Sequence, residues 1–97
     1  MPTYVVLLNW TDQGIRNVKD SLERAKAAAA LAEQMGGRFK ETYWTLGPYD
    51  VVALIEAPDD ETATAFALAT SAQGNIRTTT LRAFDQGEFQ QIIDKTP

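Results

Sequence analysis

The sequence predicts an α+β domain with the β-α-β-β-α-β order of a ferredoxin-like sandwich, followed by an extra C-terminal helix. Four short runs rich in β-branched and aromatic residues alternate with two longer runs whose apolar residues recur at helical spacing. The chain has 97 residues, enough for one core, and no linker, repeat or biased tail divides it. We therefore expect residues 1–97 to form a single domain.

Composition excludes several classes of function. The net charge of −4 argues against nucleic acid and against anionic membrane surfaces, because both require a positive footprint. The chain contains no cysteine and no histidine, the usual ligands of zinc and haem, so we expect no metal and no cofactor. The N-terminal run MPTYVVLLNW has no basic segment before it and is too short to cross a membrane. These features predict a cytoplasmic protein.

The first strand and the first helix follow from local patterns. Thr3 to Trp10 is β-branched, aromatic and apolar on both faces, which is typical of a buried strand. The polar residues 11–19 predict a loop. Asp20, with Glu23 three residues later, has the spacing of a capping box. The helix that they begin is expected to run to about Met35, where two glycines end it.

The next two strands differ in polarity. Arg38 to Leu46 is the more polar run, which favours an edge position. Gly47-Pro48 predicts a turn. Tyr49 to Ala57 is apolar on both faces except at Asp50 and Glu56, so it is expected to be central.

The last three elements begin at recognisable signals. Pro58 ends the third strand, and the acids at positions 59–61 suit a helix N-terminus because of the helix dipole. Ile76 to Phe84 predicts the fourth strand. Asp85 can cap a short final helix whose apolar residues are Phe89, Ile92 and Ile93.

This order of elements predicts the sheet topology and an assembly. Right-handed crossovers give an antiparallel sheet in the order 4-1-3-2, with two helices on one face. Strands 1 and 3 are apolar on both faces, whereas a sheet face in water should be polar. We therefore expect a second copy to cover the open face and make a symmetric dimer. The alternative is that the final helix folds over this face, although its three apolar residues cover little area.

The same topology brings several functional side chains to one rim of the sheet. Strands 1 and 2 end there, and strands 3 and 4 begin there. Aromatic walls with a few polar groups are typical of a ligand pocket. The candidate ligand-binding residues are Trp10, Trp44, Tyr49, Asp50, Arg77 and Arg16.

Each of these residues also has a structural interpretation. Tyr49 and Asp50 are candidates for proton transfer, and Asn9 is a candidate for orienting a substrate. Asp50 could equally be held at the turn by backbone amides or by an arginine, because a carboxylate near a buried strand needs partners. The two tryptophans could serve the core or a dimer interface instead of a ligand.

Three segments carry a resemblance to a known family. LLNWTDQGIRNVKDS, YWTLGPYDVVALIEAPDD and GNIRTTTLRAF resemble the GYD domain family, and Gly47, Tyr49 and Asp50 are similar to the triplet that names it. The resemblance covers nearly the whole chain and implies membership of the dimeric α/β-barrel group. That group includes cofactor-free oxygenases, haem-handling enzymes and structural members, so it does not select an activity.

Two hypotheses about function follow. In the first, the dimer binds a small apolar or aromatic molecule at the rim, either with or without cofactor-free chemistry on it. In the second, the protein is a non-catalytic assembly or regulatory module with a packed barrel. The sequence contains no complete catalytic motif, so it leaves open whether the protein is an enzyme.

Overall fold

A four-stranded antiparallel sheet in the order β2-β3-β1-β4 organises the computed structural model, which describes residues 1–97. This order confirms the predicted topology. A 3₁₀ turn at Val18–Asp20 separates the first two helices. The elements are β1 Thr3–Trp10, α1 Asp12–Arg16, α2 Ser21–Gln34, β2 Arg38–Trp44, β3 Val51–Glu56, α3 Asp60–Ser71, β4 Ile76–Ala83 and α4 Gln86–Asp94.

The core lies between the sheet and helices α2 and α3. Alternation along the central strands turns Tyr4 and Val6 of β1, with Ala53 and Ile55 of β3, toward the helices. Phe66 of α3 packs on this layer and meets the ring of a β2 phenylalanine edge to face. Apolar burial on this face is therefore the main source of stability.

The opposite face of the sheet carries no helix layer. Val5 and Leu7 of β1 pair with Leu54 and Val52 of β3, and all four side chains turn away from the core. Each is only partly buried. The predicted apolar character of both sheet faces is thus present, and one of the two faces is open.

Helix α4 does not cover this open face. It packs extensively against no other element, and Phe89 and Ile93 remain about half exposed, at 52% and 47%. The Cα radius of gyration is 14.5 Å, compared with about 12.5 Å for a compact chain of this length. The alternative in which the final helix folds over the sheet is therefore wrong for the single chain.

One predicted loop contains a helix. Residues 12–16 form α1, which begins at Thr11, whose hydroxyl accepts a hydrogen bond from the Gly14 amide at 3.1 Å. Thr11 is itself tied to the segment before β4, because its backbone N–H donates to the Asn75 carbonyl at 3.1 Å. A five-residue helix has little intrinsic stability, so distant contacts are needed to form it.

The predicted capping box at Asp20 and Glu23 is wrong. The Asp20 side chain caps nothing, because the 3₁₀ turn gives Asp20 a φ of −92° and a ψ of 5° instead of the extended backbone of a capping residue. The predicted cap at Asp85 is confirmed, and Glu88 completes a capping box there. β2 and β3 are each shorter than predicted at the rim, which leaves residues 45–50 as their connection.

Candidate functional site

The strand ends gather at one rim, as the topology predicts. Leu8 pairs with Val51, Trp44 pairs with the same valine from the other side, and Trp10 pairs with Ile76. The end of β1, the end of β2 and the starts of β3 and β4 therefore lie side by side. Any site built on these ends combines residues from four separate parts of the chain.

Asp50 ties this rim together through its carboxylate and its backbone. Its Oδ2 accepts a hydrogen bond from the Trp10 backbone N–H at 2.9 Å. Its own N–H donates to the Leu8 carbonyl, and its carbonyl accepts from the Thr45 N–H, both at 2.9 Å. The partner of the carboxylate is thus a backbone amide, and no ion pair joins it to Arg77 or Arg16.

The connection at residues 45–50 is held at two further points. The Asn9 side-chain amide donates to the Pro48 carbonyl at 2.7 Å, and the Thr45 hydroxyl donates to the Tyr49 carbonyl at 2.6 Å. Gly47 has a φ of +129°, a region that side-chain-bearing residues rarely adopt. The loop is therefore ordered by hydrogen bonds, yet the Leu46 side chain at its tip stands completely in solvent.

The candidate ligand-binding residues do not form one pocket. The register places Trp10 and Trp44 toward the helices, whereas Asn9 and Arg77 pair on the open face. Arg16 is exposed on α1. The structure thus brings these residues to one rim but divides them between two faces of the sheet.

A cleft of about 210 Å³ lies between the sheet and helices α2 and α3. We call it the helix-side cleft. Its floor is formed by β1, β3 and β4, and its walls include Leu31 of α2, Phe66 of α3 and Phe39 of β2. Trp44 also lines it and is oriented by its indole N–H, which donates to the Ser21 hydroxyl at 2.8 Å. Trp10 and Tyr49 do not line it.

Sequence reasoning missed this cleft. The available signal was the spacing of Ser21, Arg24, Ala28 and Leu31, which places one arginine within the apolar stripe of α2. Periodicity shows that these residues share a helix face. It does not show how far that face stands from the neighbouring helix, and this distance creates the cleft.

Three of the four groups with shifted pKa values, Tyr4, Glu56 and Asp59, lie at the end of the sheet opposite the rim; the fourth is the exposed Tyr43 of β2, whose hydroxyl donates to Glu41. Burial, together with the hydrogen bond that its hydroxyl donates to Asp60 Oδ1 at 2.5 Å, raises the pKa of Tyr4 to about 12. The hydrogen bond from Arg38 lowers the pKa of Glu56. Hydrogen bonds from Thr62 likewise lower the pKa of Asp59, the N-cap of α3. These shifts come from ion pairing, capping and core packing.

Two further features bear on the kinds of site that the chain could hold. No group of three or more acidic side chains is arranged to bind a metal ion. No helix has the length and apolar character needed to span a bilayer.

The fold and the rim define a ferredoxin-like α+β protein with one open sheet face. The chain belongs to the GYD domain family, whose model matches residues 4–93. A protein of Thermus thermophilus, named glutamine synthetase and cystathionine beta-lyase binding protein, is 37% identical over 84 residues, which cover 86% of this chain and 88% of that protein. The crystal structure of TTHA0845 from the same organism is similar with a TM-score of 0.55 and 26% identity, covering 88% of this chain and 95% of that one.

Proposed function

We propose that this GYD domain protein is a non-catalytic module that binds one or more metabolic enzymes. The observation that carries the proposal is the relative named for binding glutamine synthetase and cystathionine β-lyase, because its similarity extends over most of both chains. The proposal requires the protein to share a compartment with its partners, and we expect that compartment to be the cytoplasm.

The loop at residues 45–50 is the surface that we assign to the partner enzyme. An interface anchor is most effective when it is apolar and already ordered, because less conformational entropy is then lost on binding. Leu46 meets both conditions: its side chain is fully exposed, and hydrogen bonds of Asn9, Thr45 and Asp50 hold the loop around it.

Direct binding to purified enzymes tests this function. The protein would be immobilised and exposed to the glutamine synthetase and the cystathionine β-lyase of the same genome, with binding followed by biolayer interferometry. We expect saturable binding of at least one enzyme, and Leu46→Ser should weaken it by about tenfold or more. Leu68→Ser is the matched control, since Leu68 is 67% exposed on α3.

The outcomes separate the function from the surface. If neither enzyme binds, the proposed function is wrong for these partners. If an enzyme binds the parent and Leu46→Ser equally well, the function stands and the assignment to the loop fails.

Self-association is the second part of the proposal, and we assign it to the open sheet face. Val5, Leu7, Val52 and Leu54 form an apolar centre there that a second copy would remove from water. Burial of apolar surface contributes about 25 cal/mol per Å², so a paired sheet would stabilise a chain with a core this small. The expected assembly is a dimer with two sheets face to face, as in a dimeric α/β barrel.

Binding of a small apolar or aromatic molecule is a second candidate function, and the helix-side cleft favours it. Of the predicted ligand residues, Trp44 lines this cleft. We assign both Asn9, the candidate for orienting a substrate, and Asp50, a candidate for proton transfer, to the architecture of the rim, because their polar atoms already bond to the backbone. Ligand binding at the helix-side cleft would leave the loop and the open sheet face free for protein partners.

A further inference from the structure

The helix-side cleft carries a single charge. Of its 23 lining residues, 15 are hydrophobic, and Arg24 is the only one with an ionisable side chain. The chain as a whole has a net charge of −4, so an isolated cation in an apolar cleft is not a consequence of overall composition. Its presence there requires a local explanation.

The guanidinium of Arg24 is only partly satisfied. Its Nη1 donates to the Asn17 carbonyl at 2.9 Å. Its Nη2 is buried and has no hydrogen-bond partner, and no carboxylate pairs with the side chain. A buried donor without an acceptor lowers stability, and buried polar groups in native proteins are nearly always paired. Nη2 has almost no surface open to the helix-side cleft in the unliganded chain, so a ligand acceptor would remove this cost once the guanidinium turns toward the cleft.

The apolar part of the cleft limits the size of that ligand. An apolar cavity of about 150 Å³ accommodates benzene, and the helix-side cleft has about 210 Å³. The volume therefore suits one or two fused rings or a short branched chain, and it is too small for a long acyl chain. Phe39, Phe66 and Trp44 provide aromatic walls for such a body.

We propose that the helix-side cleft binds a small aromatic or apolar carboxylate, whose body fills the cleft and whose carboxylate pairs with Arg24. Guanidinium groups bind carboxylates through two parallel hydrogen bonds, so this pairing supplies specificity as well as affinity. The proposal rests on the second candidate function, small-molecule binding, and it is independent of the partner enzyme.

The test compares two probes of nearly equal shape, 2-naphthoate and its neutral analogue 2-naphthamide. Isothermal titration with the full chain should give 2-naphthoate an affinity at least about tenfold higher than that of 2-naphthamide, because a hydrogen bond to a charged group is worth that much. In Arg24→Gln this preference should fall to about twofold or less. Lys26→Gln, on the same helix and 77% exposed, should retain it.

Three further measurements keep the proposal testable if Arg24→Gln is poorly folded. Ala67→Leu fills the helix-side cleft from α3, so it should weaken both probes together. Amide NMR shifts on adding 2-naphthoate to the parent should centre on α2, α3 and Trp44. Arg24→Lys retains the charge but not the paired donors, so it should keep part of the preference.

The possible results are distinguishable. Equal affinity for the two probes in the parent, or an undiminished preference in a folded Arg24→Gln variant, overturns the role of Arg24 and leaves small-molecule binding standing. If neither probe binds, or if the NMR shifts centre away from the helix-side cleft, both the role of Arg24 and small-molecule binding at this cleft are overturned.

Discussion

Gly14 is buried at the point where α1 crosses the segment before β4. A Cβ atom at this position would lie 1.9 Å from the Asn75 carbonyl oxygen, far inside van der Waals contact. The residue therefore allows two backbone segments that are remote in sequence to meet. Asp50 has a comparable role at the same rim, where its carboxylate joins the start of β3 to the end of β1.

Gly14→Ala should be strongly destabilising. Since the neighbouring atoms belong to the backbone, they cannot simply rotate away, and we expect a loss of about 1–3 kcal/mol in the free energy of unfolding. Urea denaturation followed by circular dichroism measures this loss. Gly87→Ala is the control, because its nearest neighbour would be an ordinary 3.6 Å away. Equal stability of the two variants would contradict the close approach at Gly14.

Tyr4 makes stability depend on alkaline pH. Its pKa is raised to about 12 in the folded state from an ordinary value of 10.0, so its contribution is fully present below pH 10. The contribution is lost as the pH rises from 10 toward 12. We expect the free energy of unfolding of the parent to fall over this range more steeply than that of Tyr4→Phe.

Urea denaturation at several pH values between about 9 and 12 measures the difference between the two proteins. Tyr43 also has a raised pKa, from its hydrogen bond to Glu41, and it is present in both proteins, so it cancels in the comparison. Parallel pH profiles for the parent and Tyr4→Phe would show that the Tyr4 hydroxyl is not held by Asp60.

At the scale of elements, the two capped helices α3 and α4 differ in what they pack against. Asp59 caps α3 by accepting from the Thr62 amide at 2.7 Å, and α3 places Phe66 in the core. Asp85 caps α4 by accepting from the Glu88 amide at 2.8 Å, but α4 packs extensively against no other element. A nine-residue helix without packing is marginal in water.

The same substitution should therefore have different effects at the two caps. Asp59→Ala should lower the urea midpoint of global unfolding, because α3 unfolds together with the core. Asp85→Ala should reduce the helical circular dichroism signal while leaving that midpoint nearly unchanged. If Asp85→Ala lowered the urea midpoint of unfolding as much as Asp59→Ala, α4 would be coupled to the core.

At the scale of the whole molecule, the open sheet face is the feature from which we predict self-association. One sheet face is covered by α2 and α3, whereas the other exposes the apolar centre around Leu54. A sheet of this kind is expected to pair with another copy, since an exposed apolar patch rarely persists in a monomer.

Sedimentation of the parent at micromolar concentration should therefore give a dimer. Leu54→Arg places a charge at the centre of the proposed interface and should give a folded monomer, because the core on the helix side is untouched. Leu68→Arg, on the outer surface of α3, should remain dimeric. A stable, folded monomer of the parent at this concentration would contradict the proposed pairing.

The sequence alone determined the four strands, the three longer helices and their order, but it did not show α1 or the 3₁₀ turn. The predicted bounds of strand β1 match the observed ones, and the acids at positions 59–61 and the cap at Asp85 mark helix starts that the structure contains. These features are local, since period-2 and period-3.6 patterns and capping residues act within a few positions. Topology followed because right-handed crossovers leave few arrangements for this order.

Only the tertiary structure decided the features that depend on distances between remote residues. The bond from Trp10 to Asp50 joins residues 40 positions apart, and α1 forms against Asn75 in the segment before β4. The helix-side cleft depends on the space that remains between α2 and α3, and a periodic pattern contains no measure of that space. Arg24 therefore appeared in the sequence only as one residue of a helix, and the fold made it the single charge in an apolar cleft.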